Sequence, residues 1–119
     1  MLSIICATNR PKNQTQKVVN AYAELARKYH DAVGVLSMEN LPEDFLKNDS
    51  YGKRSEAFSK LLETYLEPAE QLVIIAPEYN GSYPGVFKAF VDAIKPKIFH
   101  GKKVCLLYTS PSPRDLSTS

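Results

Sequence analysis

Two polar stretches of this chain carry the side chains suited to holding a small ligand, and each directly follows an apolar run. The first, TNRPKNQT over residues 8–15, offers hydroxyls, amides and one guanidinium. Set between a buried strand and the start of a helix, such a segment binds phosphate. Free N–H groups and the helix dipole face the anion, and hydroxyls with an arginine complete the cradle. A loop rich in Ser, Thr and Asn also serves as a plain helix cap, and the residues alone support either role. The second stretch, Pro77-Glu78-Tyr79-Asn80-Gly81-Ser82, is turn-forming, and Gly81 permits a positive φ or close backbone approach. Ligands of open α/β sheets bind outside the carboxyl ends of the strands, which is where both stretches fall.

Other chemistries lack their residues. There is no G-x-x-x-x-G-K-[ST] and no G-x-G-x-x-G, so a nucleoside triphosphate loop and the usual dinucleotide fingerprint are excluded on pattern. No acid–base pair is visible, because Glu78 and Asp92 have no suitable partner nearby in sequence, and no catalytic side chain is assigned. His30 and His100 are far apart, so no metal is expected. Cys6 and Cys105 each fall inside an apolar run, which predicts two buried free thiols of a reducing cytoplasm. A phosphatase loop needs its nucleophilic cysteine within the loop, whereas Cys6 precedes it and is too close to Arg10. The 119 residues make one small domain. With 44% hydrophobic and 24% charged residues it has the make-up of an ordinary globular protein, and a net charge of +2 does not argue for nucleic acid. No run is apolar for long enough to cross a bilayer, and the amino terminus lacks the basic start of a signal peptide.

The elements that must position the two loops follow from periodicity. Residues 2–7 read as a central buried strand. Residues 15–30 read as a helix with Val18, Val19, Tyr22, Leu25, Ala26 and Tyr29 on its apolar face. A short strand at the sheet edge is expected over residues 32–38, weakened by Gly34. Residues 39–51 form a loop pinned by Leu41, Phe45 and Leu46, and a helix over 55–67 buries Phe58, Leu61, Leu62 and Tyr65 before Pro68 stops it. A strand over 72–76, the second polar loop and a helix from Pro84 to about Ile94 come next, the helix burying Val86, Phe87, Phe90, Val91 and Ile94. Residues 104–108 supply a fourth strand. Strands alternating with helices at this spacing predict a parallel sheet with helices on both faces.

The segment PEYNGSYPGVFKAFVDAI over residues 77–94 closely resembles the flavin-ring loop and following helix of the NADPH-dependent FMN reductase family, and TNRP resembles its phosphate loop. The resemblance implies a flavodoxin-like, three-layer α/β/α fold with strand order 2-1-3-4, which sets the first and third strand-end loops side by side. It implies FMN as cofactor, with the phosphate at Thr8, Arg10, Thr15 and Asn13 (the last standing where many relatives carry serine). The ring is expected against Pro77, Glu78, Tyr79, Asn80 and Gly81, with Glu78 bracing the loop. The implied reaction is hydride transfer from NAD(P)H through FMN to a small acceptor such as a quinone, an azo compound or free flavin. A cytoplasmic homodimer is implied as well, with residues 39–55 near the subunit interface and Lys53 and Arg54 drawing NADPH phosphates.

The resemblance stops at about Cys105. Relatives continue into a Gly/Ser-rich loop, a further helix, a fifth strand and a last helix, whereas this chain runs into LLYTSPSPRDLSTS. Residues 1–108 are therefore read as an incomplete flavodoxin-like FMN-binding domain and residues 109–119 as a disordered tail of a truncated gene model. A fragment of this kind is expected to be marginally stable and to bind FMN weakly or aggregate. Two other outcomes stay open: a flavodoxin-like electron carrier, though such carriers are usually strongly acidic, and an inactive remnant.

Overall fold

The structure is a computed structural model, and it describes residues 1–47 and 54–109. Strands β1 (Leu2–Cys6), β2 (Val33–Ser37), β3 (Gln71–Ala76) and β4 (Lys103–Tyr108) form one parallel sheet in the order β2-β1-β3-β4, as expected. β1 is buried along its whole length because it has a neighbour on each side and helices on both faces. Its side chains alternate. Leu2, Ile4 and Cys6 pack with Val19, Ala23 and Ala26 of helix α1 (Thr15–Ala26), while Ile5 and Ala7 face the opposite layer. That layer holds α2 (Glu56–Leu61), the π-helical turn Leu62–Leu66 that continues it, and α3 (Gly85–Asp92). Its centre is aromatic: Phe58 lies 5.2 Å from Phe45 and 6.0 Å from Phe90, the latter edge-on.

Four details depart from the periodic reading. α1 turns a different stripe to the sheet: Thr15, Val19, Ala23 and Ala26 are buried, whereas Val18, Leu25 and Tyr29 are exposed. The small residues let the helix sit close to β1, and the larger ones fall to its flank. The helix also ends at Ala26, with tighter bonds closing its last turn at Lys28 and Tyr29. Of the three anchors of the loop after β2, Phe45 is buried and Leu41 partly so, but Leu46 is 55% exposed. Cys6 is buried as expected; Cys105 is exposed, because β4 is an edge strand of which Leu107 alone is partly buried against the core.

β2 is the other edge, and Gly34 has a packing role there. A Cβ at this position would lie 2.8 Å from Met1 Cε, 3.1 Å from the Tyr65 ring and 3.3 Å from Ser3 Oγ. Tyr65 belongs to the π-helical turn, where Glu67 N–H reaches back to Leu62 O at 2.9 Å. The buried Ser3 hydroxyl donates to Tyr65 O, tying that turn to β1. Lys53, the end of the loop at residues 48–51, and the tail over 110–119 lie outside the described residues. Arg54 donates to Ala93 O at the carboxyl end of α3, where a cation complements the helix dipole.

Candidate functional site at the carboxyl ends of β1 and β3

Because β1 and β3 are neighbours in register, the chain leaves both strands at the same rim of the sheet. Ala7 N–H still bonds to Ile75 O at 2.9 Å, and Thr109 N–H bonds to Ala76 O at 3.1 Å. The two loops begin from this shared edge. They enclose a cavity of about 340 Å³ lined by residues of both, including Arg10, Asn13, Thr15, Pro77, Glu78 and Tyr79.

Thr8 is fully buried, and its hydroxyl lies 2.8 Å from the Tyr79 hydroxyl and accepts from Arg10 N–H at 3.2 Å. The Arg10 side chain is exposed and lies over the Tyr79 ring, with Cζ 4.1 Å from the centroid, a cation–π contact. Lys12 takes φ 55°, turning the backbone towards α1. Asn13 then braces the loop with every group of its amide. Nδ2 donates to Arg10 O at 2.8 Å and to Glu39 Oε1 at 3.1 Å; Oδ1 accepts from Gln16 N–H at 2.8 Å and from the Cys6 thiol at 3.8 Å. The Gln16 bond makes Asn13 a side-chain cap for α1. Thr15 is buried on the first turn, its hydroxyl 3.1 Å from that of Thr109.

The second loop is a two-residue hairpin. Tyr79 and Ser82 exchange backbone bonds of 2.8 and 3.1 Å, and both residues between them have positive φ, Asn80 at 52° and Gly81 at 84°. This is the turn that matches strand twist, and the Asn-Gly dipeptide is its sequence signature. Glu78 Oε2 accepts from Gly81 N–H at 3.0 Å, so this carboxylate braces the loop. Pro77 is buried at the root of the hairpin. Asp92 is bound to Lys88, its i−4 neighbour on an exposed face of α3.

The structure thus brings Thr8, Arg10, Asn13, Thr15 and residues 77–81 to one rim. It adds neighbours that the sequence does not assign to the site: Lys12, Gln14, Val18 and Thr109 line the same cavity, and Glu39 accepts from Asn13. Glu39 follows β2, and a polar residue after a strand next to β1 is the signal that marks it. Thr109 falls in the Ser/Thr/Pro-rich terminal run by composition, yet a hydroxyl at the end of a sheet strand is placed for the rim.

Electrostatically the rim is mixed, with Arg10 and Lys12 against Glu39 and Glu78. Burial pushes the Cys6 thiol above its ordinary range, a stronger influence than the Thr8 backbone hydrogen bond that opposes it. A protonated, buried thiol is the opposite of a phosphatase nucleophile. Among the described residues no three His, Cys, Asp or Glu come together as metal ligands, and no helix is long and apolar enough to cross a membrane.

Comparison with known proteins agrees with this geometry. The chain's fold is similar to that of an oxidoreductase from Corynebacterium diphtheriae, with a TM-score of 0.74 at 17% identity, covering 97% of this chain and 66% of that one. It is similar to an NADH:FMN oxidoreductase in its apo form, with a TM-score of 0.74 at 19% identity over 98% of this chain and 64% of that one. An azoreductase from Bacillus anthracis strain Sterne matches with a TM-score of 0.56 at 16% identity, over 90% of this chain and 67% of that one. At such identities the likeness establishes the flavodoxin-like fold, and the chain spans slightly under two thirds of the first two structures. No curated protein matches the sequence. The family model for NADPH-dependent FMN reductase, however, matches residues 1–118, past the point at Cys105 where the motif resemblance ends. The chain belongs to the NADPH-dependent FMN reductase family.

Proposed function

We propose that the chain carries the FMN site of an NAD(P)H-dependent oxidoreductase acting on a small acceptor. The observation that carries this reading is the meeting of the two strand-end loops, with Arg10 4.1 Å from the Tyr79 ring above one cavity. The donor set fits the cofactor. A guanidinium, the Thr15 hydroxyl and the positive end of the α1 dipole suit a phosphate, and a fixed hairpin of small and aromatic residues beside them suits a flat ring.

In this reading Arg10 and Thr15 hold the phosphate, while Thr8 and Asn13 hold the loop in the shape that presents them. Pro77, Glu78, Tyr79, Asn80 and Gly81 line the ring, with the positive φ of Asn80 and Gly81 bringing backbone close to it. Held there, FMN would supply the redox chemistry, a hydride transfer between NAD(P)H and a quinone, an azo compound or another flavin. The chain's own part is binding, orientation and shielding from water, so no side chain is assigned to proton transfer. A homodimer and a cytoplasmic setting belong to the same reading, by family resemblance. The modest positive charge favours an enzyme over an acidic electron carrier.

Ultrafiltration of the chain with FMN, followed by the absorbance spectrum of the retained protein, tests the site directly. Because weak binding is expected of this chain, partial retention that rises with FMN concentration and shows a bound-flavin spectrum is the expected result; colourless folded protein at saturating FMN would remove the proposal. Oxidation of NADPH by the loaded protein then separates a reductase from a one-electron carrier.

A further inference from the structure

We propose that Tyr79, although it stands in the ring loop, acts on the phosphate end of the ligand as a positioning residue for Arg10. The inference rests on the FMN reading above and assigns a role within it. Three constraints fix Tyr79. The two backbone bonds to Ser82 set the strand of the hairpin it lies on. Its hydroxyl is 2.8 Å from that of Thr8, which is fully buried and so cannot follow a moving partner. Its ring face carries the Arg10 guanidinium at 4.1 Å. Arg10 itself has little else to orient it: its side chain is exposed, and among the described residues no carboxylate forms an ion pair with it. A free arginine side chain samples many rotamers, and immobilising it on binding costs affinity; a ring face that restricts it beforehand lowers that cost. The cavity bordered by Arg10 is also bordered by Thr15 and by Tyr79, so the restrained guanidinium stays beside the amino end of α1.

This role has a signature that ring packing does not share. Riboflavin has the same ring system as FMN but no phosphate, so a residue acting through Arg10 should cost FMN more than it costs riboflavin. The test is a pair of flavin-fluorescence titrations of the full chain, with FMN and with riboflavin, on the wild type, Tyr79→Leu, Tyr79→Phe, Arg10→Ala and the double variant Arg10→Ala with Tyr79→Leu. Tyr79→Leu is expected to weaken FMN roughly tenfold more than it weakens riboflavin, the scale of a partly desolvated cation–π contact, the loss common to both flavins being its share in the ring contact. Tyr79→Phe keeps the ring face and should recover most of the loss. Adding Tyr79→Leu to Arg10→Ala should cost FMN nothing beyond that common loss, since the two act as a unit. Riboflavin binding doubles as the check that each variant is folded. Equal losses for the two flavins, additive FMN-specific losses in the double variant, or tighter FMN binding by Tyr79→Leu would each overturn the role while leaving the FMN site standing. A wild type that holds FMN no better than riboflavin, or holds neither, would overturn the underlying reading and this inference with it.

Discussion

Arg10 is the cation that the proposed function leans on most, and its geometry makes that dependence testable. A guanidinium can lie flat on the Tyr79 ring and still offer paired N–H donors to an anion; an ammonium keeps the charge but has neither the plane nor the fork. Arg10→Ala should therefore weaken FMN by about thirtyfold, the scale of a charge-assisted hydrogen bond, with Arg10→Lys recovering only part, as measured by flavin fluorescence. The two cysteines differ for a reason of equal simplicity. Cys105 lies on an uncovered strand and Cys6 is fully buried. A thiol reagent near neutral pH should label Cys105 in the native chain and Cys6 only in denaturant, read by intact mass. The Cys6 thiol is raised by burial, so the folded state holds its proton at pH values where the unfolded chain releases it. Its contribution therefore falls as pH climbs from the ordinary thiol range towards the raised folded value, and is unchanged below that range. Cys6→Ala should flatten that part of the stability profile in alkaline denaturation curves.

The elements around the site have their own vulnerable points, away from the loops. Gly34 looked like a flaw in an edge strand, yet the space for a side chain there is filled by Tyr65, Ser3 and Met1. The Met1 end is flexible and can move, but a tyrosine ring and a buried serine must also give. Gly34→Ala should cost about 1 kcal/mol, and Gly34→Val more, seen as a drop of roughly 5 °C in Tm for the alanine. Ser3→Ala removes the hydroxyl that satisfies Tyr65 O at the π-helical turn and should cost about 1–2 kcal/mol, measured by urea unfolding. Both effects are on stability. Neither residue lines the cavity between the loops, so the affinity of the remaining folded protein for FMN should be unchanged. Pattern reading placed these elements well because each had a clean period. It did not foresee the π-helical turn, since an i→i+5 bond leaves no mark on hydrophobic spacing when Ser3 and Gly34, distant in sequence, are what accommodate it.

At the scale of the whole molecule, the two sides of the sheet are unequally covered. β1 and β3 are buried, while Val104, Leu106 and Tyr108 of β4 are each more than half exposed, and Val18 and Leu25 of α1 and Tyr29 just beyond it are exposed as well. An exposed apolar edge strand promotes pairing between copies. The chain should associate in a concentration-dependent way, and Leu106→Lys should reduce this in sedimentation velocity; no change in association would show that the edge is not the contact. The order of elements and the two strand-end loops could be read from residue types and their spacing, because burial leaves a period and strand-end loops leave polar, turn-forming residues; the strand order is implied by the family resemblance, and the sheet has it. What each polar side chain does at the rim could not be read in this way. Asn13 is consumed by four partners, three of them close in sequence, while Thr8 holds a tyrosine from another loop and Glu39 reaches Asn13 from beyond β2, both through contacts between segments far apart in the chain. Hydrogen bonds are short and directional, so only the folded arrangement decides which donors remain for a ligand and which are already committed to holding the site together.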